Sequence, residues 1–251
     1  MNDATDRSGS APSTPAVPGT GTGTGNSDSA ALRAYAAVLR GILTGKHAGG
    51  DMLSESTIAG AVGVSRTPVR AALIRLQDEG WITIYPKRGA LVREFSAQAV
   101  ADLAQTKVLL ECGAVRATCP ALRRRTAAEL RGQLTAQAES LESRDLPEFV
   151  ELSIAFHRGF VAASRNAVLT ELYDRLADRQ RFLLFSYGQR LFDRSDEILV
   201  EHAAMLDALE ASGVAADAPP GAPENTAALE ALNRFDALLR HHLSETYRLD
   251  P

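Results

Sequence analysis

Arginines and hydroxyl side chains concentrate in one short stretch of the sequence. Ser65, Arg66 and Thr67 are consecutive, and Arg70 follows four residues after Arg66, on the same face of a helix. Arginine can bond a guanine edge at two positions, and hydroxyls at a helix start can hold phosphates. The spacing predicts a helix whose first turn contacts the major groove of DNA.

A second basic pair, Lys87 and Arg88, precedes Gly89 at the tip of a predicted hairpin. Glycine lets the backbone approach a groove closely because it has no side chain. Any single cation of this kind is more often a solvated surface charge. Four cations at the two places where a winged helix-turn-helix touches DNA favour DNA binding over that interpretation.

The surrounding segments predict three short helices and a hairpin, a winged helix-turn-helix domain over residues 30–95. Glycines and a small polar cap mark the helix boundaries: Gly45, Ser54, Gly63 and Gly80. The third helix is predicted to start with Thr67 as its N-cap and Pro68 at its first position. Strands over 81–85 and 90–92 form the hairpin.

Residues 96–251 predict a second, all-α domain, so the expected fold class is mainly α. Its helical periods fall at 97–118, 126–143, 147–164, 167–187, 195–211 and 225–248. An Ala-, Gly- and Pro-rich loop is expected between Ser212 and Pro223. Residues 1–29 are nearly free of large apolar side chains and are expected to be a disordered tail.

Three histidines lie on the apolar faces of three different predicted helices: His157, His202 and His242. Neutral imidazole is a common ligand of zinc, nickel and manganese ions. A histidine on an apolar face is also often a hydrogen-bonded core residue. On the residues alone, a metal site and a histidine-containing core are both open.

Charge is distributed unevenly along this 251-residue chain, whose net charge is -4. Residues 30–95 hold nine Lys or Arg against five Asp or Glu, a balance of +4. This suits a DNA-binding domain joined to an acidic domain that does not touch phosphates. No long apolar run or secretory signal is present, so we expect a cytoplasmic protein without a membrane partner. Cys112 and Cys119 fit no common disulfide or zinc spacing and are expected to be buried.

The predicted DNA-binding segments resemble those of the GntR family of bacterial regulators, at Val62–Leu73, Asp78–Trp81 and Pro86–Ala90. The resemblance implies DNA contacts from Arg66, Thr67 and Arg70, with Gly89 as a wing tip in the minor groove. Ser56 departs from the pattern, because some members carry a phosphate-contacting arginine there.

Residues 96–251 resemble the FCD effector domain of the FadR subfamily. The supporting segments are Thr106–Glu111, Ala155–His157, Ser164–Asn166, Glu201–His202 and His242–Leu243. Many such domains bind a divalent metal through one aspartate and three histidines, which implies His157, His202 and His242 as ligands. Ser153 occupies the usual aspartate position. Lys107 stands where an arginine is usual.

The sequence therefore predicts a homodimeric, non-enzymatic transcription regulator, by default a repressor, that binds a palindromic operator in double-stranded DNA. A small-molecule effector, by resemblance often an organic acid, is expected near the histidines, with Lys107, Arg179 and Arg181 as candidate carboxylate partners. Three alternatives stay open: a metal-independent ligand pocket, a protein-docking helical module tethered to DNA, and a metal-dependent hydrolase. The hydrolase lacks an obvious general base.

Overall fold

A computed structural model describes the fold of residues 24–214 and 222–248. The first part contains α1 (Thr24–Leu43), β1 (Met52–Leu53), α2 (Glu55–Val62), α3 (Arg66–Asp78), β2 (Ile82–Tyr85) and β3 (Gly89–Val92). The second part contains α4 (Ala97–Ala117), α5 (Pro120–Arg131), α6 (Leu134–Glu142), α7 (Leu146–Ala162), α8 (Ala167–Asp174), α9 (Ala177–Ser186), α10 (Gly188–Asp193), α11 (Ser195–Ala211) and α12 (Pro223–Thr246). The predicted fold class, a winged helix-turn-helix followed by a helical bundle, is confirmed.

The core of the first part lies between α1 and α3. Ile42 of α1 is buried with Val69, Leu73 and Leu76 of α3, which recur at helical spacing on one face. Ile82 of β2 packs in the same cluster. Burying this face leaves the opposite face of α3, with Arg66 and Arg70, exposed to solvent.

The sheet has the strand order β1–β3–β2, with both pairings antiparallel. Tyr85 pairs with Gly89 at the closed end of the β2–β3 hairpin, and Leu53 of β1 pairs with Ala90. The sequence did not predict β1, because two residues are too few to show an alternating pattern.

Helix α3 begins earlier than predicted. Its N-cap is Ser65, which has an extended backbone, so Thr67 and Pro68 lie inside the first turn rather than at its cap. Proline is tolerated there because the first four N–H groups of a helix have no intrahelical acceptor.

Two predicted helices of the bundle are each interrupted. The segment predicted as 126–143 is α5 and α6, and α5 starts at Pro120, directly after its N-cap Cys119. The segment predicted as 167–187 is α8 and α9, separated at Arg175. Proline favours the first turn of a helix, which explains the early start of α5. Cys112 is buried as expected, whereas Cys119 is exposed.

The predicted tail and loop fall largely outside the described residues. Residues 1–23 and 215–221 belong to neither described range, whereas 24–29 form the start of α1, where a tail was predicted. Residues 24–29 contain no proline, so every residue of this segment can adopt a helical backbone and donate its N–H. Within the described ranges, no helix is long and apolar enough to cross a membrane.

Aromatic side chains join the two parts of the molecule. The ring of Phe182, on α9, lies 5.4 Å from the ring of Phe95 and 6.3 Å from that of Trp81, between centroids. Helix α9 also contacts α1. The chain crosses between the two parts at Phe95–Ser96, beside these rings, and α9 is a bundle element that packs on the winged helix-turn-helix.

We expect Gly89→Ala to lower the free energy of unfolding by about 1–3 kcal/mol. Gly89 has φ of +121°, and an added Cβ would lie 2.4 Å from the carbonyl oxygen of Leu53. Gly60→Ala, inside α2, is the control, because no atom lies within 4 Å of its added Cβ. That change should stabilise the protein by about 0.5–1 kcal/mol. Urea unfolding measures the free energy of unfolding of both variants. Equal effects of the two changes would contradict a steric conflict between residue 89 and Leu53.

Candidate functional site

A basic groove of about 480 Å³ lies between α3 and the β2–β3 hairpin. Four cationic side chains line it: Arg66, Arg70, Lys87 and Arg88. The two arginines come from the first two turns of α3, and the other two cations come from the hairpin. The structure thus brings together the predicted cations from both segments.

The N-terminus of α3 faces solvent at the edge of this groove. Ser65 and Thr67 are exposed, and the Ser65 side chain makes no capping hydrogen bond. A helix N-terminus carries partial positive charge and attracts anions such as phosphate. The residues predicted to contact DNA from this turn are therefore accessible to a ligand.

Arg70 is held in place by an acidic residue of α2. Its Nε donates to both carboxylate oxygens of Glu55, at 3.0 and 2.9 Å. The hydrogen bond to Glu55 raises the pKa of Arg70 above its ordinary value. Ser56, at the position where some family members have arginine, shares a 2.7 Å hydrogen bond between hydroxyls with Ser54.

The hairpin turns through Tyr85–Arg88, where the N–H of Arg88 donates to the carbonyl oxygen of Tyr85 at 3.1 Å. Lys87 adopts a φ of +64° in this turn. Gly89 follows the tip and faces the backbone of β1. Lys87 and Arg88 therefore form the exposed tip. Gly89 is the first residue of β3, and the close backbone of β1 leaves no room for a side chain there.

The three histidines converge inside the bundle. His157 comes from α7, His202 from α11 and His242 from α12, and each is at most 3% exposed. Each offers one potential ligand atom, and these atoms all lie within 4.8 Å of one another. The Nε2 atoms of His202 and His242 are 3.3 Å apart. This is a geometry in which one ion could contact three imidazoles.

Each imidazole has an oxygen partner at Nδ1. Nδ1 of His157 lies 2.8 Å from Glu111, that of His202 lies 2.7 Å from Gln137, and that of His242 lies 2.6 Å from Glu201. An Nδ1–H that donates to such an oxygen leaves the lone pair of a neutral imidazole on Nε2. This tautomer presents acceptor nitrogens suitable for a cation.

Burial keeps at least two of these histidines neutral at pH 7. Loss of solvation lowers the pKa of His157 to about 4, although Glu111 acts in the opposite direction. Burial, reinforced by the neighbouring histidines, lowers the pKa of His202 well below its ordinary value. Neutral imidazole is the form that binds metal.

Glu111 is the centre of a buried polar network beside the histidines. Its carboxylate accepts hydrogen bonds from His157 and, at 2.7 Å, from the Tyr173 hydroxyl, and it lies 3.0 Å from Nζ of Lys107. Burial raises the pKa of Glu111, but Lys107 and His157 outweigh this effect and lower the pKa to about 2. Glu111 is therefore ionised although it is fully buried.

Ser153 lies one helical turn before His157 on α7 and is buried. Its hydroxyl is a neutral, weak ligand where an aspartate would supply a negative charge. The donor set offered by the chain is three imidazoles with a hydroxyl one turn away. This set fits a divalent transition-metal ion better than calcium or magnesium, which favour several oxygen ligands.

The three predicted carboxylate partners have different surroundings, and Lys107 reaches the histidines through Glu111, which bonds His157. Lys107 is fully buried, and its ammonium donates to Tyr173 and, at 3.0 Å, to Gln180. Arg181 is bound to Glu151 and Asp178. Both side chains already have protein partners, so their role as carboxylate partners of an effector stays a prediction.

Arg179 lies elsewhere. It is exposed and lines a cavity of about 260 Å³ with Trp81, Arg93 and Phe95, at the junction of the two parts. Its role in binding an effector beside the histidines has no geometric support.

The sequence did not reveal the oxygen partners of the imidazoles. Glu111 and Gln137 are far from their histidines along the chain, and Glu201 binds His242 rather than the adjacent His202. Glu111 carried one usable signal: it lies four residues after Lys107 on a buried helix face, where an ionised group needs a partner.

Comparisons with known proteins match both parts of the chain. Residues 30–92 match the model for bacterial regulatory proteins of the gntR family, and residues 102–216 match the FCD domain. A putative GntR transcriptional regulator from Rhodococcus sp. RHA1 has a similar fold, with a TM-score of 0.61 and 22% identity. The similarity covers 84% of this chain and 97% of that structure.

Two curated relatives share higher identity over part of the chain. An uncharacterized HTH-type transcriptional regulator of Streptomyces ambofaciens is 38% identical over 49% of this chain and 51% of its own length. Another from Agrobacterium vitis is 32% identical over 52% of this chain and 78% of its own length. The chain thus spans about half the length of the first relative. The protein belongs to the GntR family of bacterial transcription regulators, with an FCD domain after its helix-turn-helix.

Proposed function

We propose that this protein is a repressor that binds an operator through the basic groove and releases it when a small effector binds the bundle. The observation that carries the proposal is the groove itself, where four cations from α3 and the hairpin face one space. Its dimensions and charge suit the edge and backbone of a DNA duplex. Repression is the proposed direction because several relatives are named transcriptional repressors.

A homodimer on a palindromic operator is part of the same proposal. Each copy has one groove, and two symmetric copies would contact two half-sites about one helical turn apart. Exposed apolar side chains support an association surface on α4 and α8, which pack on each other: Leu109, Val168 and Leu172. Covering such side chains with a second copy would remove their apolar surface from water and so favour association.

The histidine cluster is proposed to hold a divalent ion of zinc, nickel or manganese type. Two unprotonated Nε2 atoms 3.3 Å apart repel each other unless a cation or a proton lies between them. The Nδ1 partners already hold the imidazoles in the ligand tautomer. When bound, the ion would supply an open position for an effector oxygen such as a carboxylate.

The bundle contains a contact route from the histidines to the DNA-binding part. His157 bonds Glu111, which pairs with Lys107, and Lys107 donates to Gln180 on α9. Two residues further along α9, Phe182 packs on Trp81 and Phe95. We propose that effector binding shifts α9 through this route and changes the position of the winged helix-turn-helix.

Substitution of both Arg66 and Arg70 with alanine should abolish specific retardation of operator DNA. Each lost base contact is expected to weaken binding by about tenfold. The operator is first recovered by capture of genomic fragments and measured in a mobility-shift assay. Arg175→Ala is the control, because Arg175 is exposed in the bundle and pairs with Glu171. Unchanged binding by the double variant would refute the proposed contacts.

Purified protein should contain near-stoichiometric divalent metal by elemental analysis, and His157→Ala should lose it. His241→Ala should retain it, because His241 neighbours His242 in sequence but has a side chain that is 62% exposed. Ser153→Asp should strengthen retention against a chelator by adding an anionic ligand. Metal content that is absent throughout, or equal in all variants, would show that the histidines are not ligands.

Gln180→Leu should separate metal binding from DNA binding. The change removes the acceptor that Lys107 has on α9, at similar volume, so metal content should persist. The route predicts that metal-loaded and chelator-treated protein differ in operator affinity, and this difference should disappear in Gln180→Leu. Gln189→Leu is the matched control and should keep the response to metal, because Gln189 is an exposed residue of α10 that bonds Asp193. A response to metal that survives in Gln180→Leu would rule out this route.

A further inference from the structure

Glu55 places a negative charge in a groove that is otherwise basic. Of the described residues that line the groove, it alone carries a carboxylate, and its side chain is 28% exposed. DNA phosphates repel such a charge, so Glu55 should weaken binding to DNA of any sequence. We therefore expect the contacts of Glu55 to provide a benefit that offsets this repulsion.

Glu55 contacts the edge of the Arg70 guanidinium that carries Nε. Glu55 binds Nε through both oxygens, at 3.0 and 2.9 Å, and no described residue accepts a hydrogen bond from the two terminal nitrogens of Arg70. The Arg70 side chain is 65% exposed. The guanidinium is thus held at one edge and presents its other edge, with two donor nitrogens, to the groove.

Glu55 is itself fixed by its place in α2. It is the first residue of that helix, directly after the N-cap Ser54, where a negative charge is stabilised by the helix dipole. A long arginine side chain without such an anchor samples many rotamers and can reach phosphates as easily as bases. An anchored one offers its paired donors in one direction, which suits the O6 and N7 acceptors of guanine.

We propose that Glu55 is a positioning residue that sets sequence specificity, holding Arg70 toward a base edge and opposing its use as a general phosphate contact. The proposal rests on the proposed function, in which Arg70 contacts DNA. It predicts that losing Glu55 has opposite effects on the two kinds of DNA. Affinity for unrelated sequence rises, whereas discrimination in favour of the operator falls.

The test compares full-length variants on two duplexes, the operator recovered by genomic capture and a scrambled duplex of equal composition. For Glu55→Ala, we expect tighter binding to the scrambled duplex and a loss of about tenfold in the operator-to-scrambled affinity ratio. For Glu55→Asp, which keeps the charge but shortens the reach, we expect the ratio to fall without tighter binding to the scrambled duplex.

Asp78→Ala is the matched control for net charge. Asp78 is the last residue of α3, outside the groove, so its removal should leave the ratio unchanged. Adding Glu55→Ala to Arg70→Ala should not lower the ratio further, because the positioned group is already gone. Urea unfolding of each variant checks that α2 remains folded, and Glu55→Asp retains the helix-terminal charge.

The outcomes separate the two proposals. If Arg70→Ala leaves the ratio unchanged, the base contact assigned to Arg70 is wrong, and the role of Glu55 falls with it. If Arg70→Ala lowers the ratio but Glu55→Ala does not, the contact stands and the positioning role is overturned. Equal strengthening on both duplexes by Glu55→Ala would identify Glu55 as a plain repulsive charge.

Discussion

A carboxylate without access to water is tolerated only if charge and hydrogen bonds inside the protein match it, and Glu111 imposes this constraint on the bundle. It accepts from His157 on α7 and Tyr173 on α8, and it pairs with Lys107 on its own helix. Lys107 extends the network to Gln180 on α9. One buried charge thus fixes the relative positions of four helices and the tautomer of one histidine.

The DNA-binding part was predictable because its signals are local. Arg66 and Arg70 lie one turn apart on a helix whose other face is apolar, and glycines mark the ends of the neighbouring helices. The errors there are also local in origin. A two-residue strand such as β1 carries no periodicity, and Ser65 and Thr67 are both favoured N-cap residue types, two positions apart.

The bundle was predictable only in outline, because its site depends on contacts between distant segments. Apolar periodicity placed His157, His202 and His242 on inward faces, and the structure brings them together. It could not show that Arg181 pairs with Glu151, 30 residues earlier, or that Glu111 and Gln137 orient the imidazoles. Apolar periodicity indicates which face of a helix is buried. Which polar side chains then meet depends on how the helices pack against each other, which the periodicity does not show.

The aromatic junction between the two parts has an energetic consequence. It includes the two ring contacts of Phe182, each worth about 0.5–1.5 kcal/mol beyond the area it buries. Ligands that communicate between sites typically do so with about 1–3 kcal/mol. The two scales are comparable, so the loss of one ring contact would change the energy of the junction by about as much as a typical effector does. Phe182 makes both ring contacts, so the packing of this one side chain bears directly on how firmly the two parts are held beside their chain crossing.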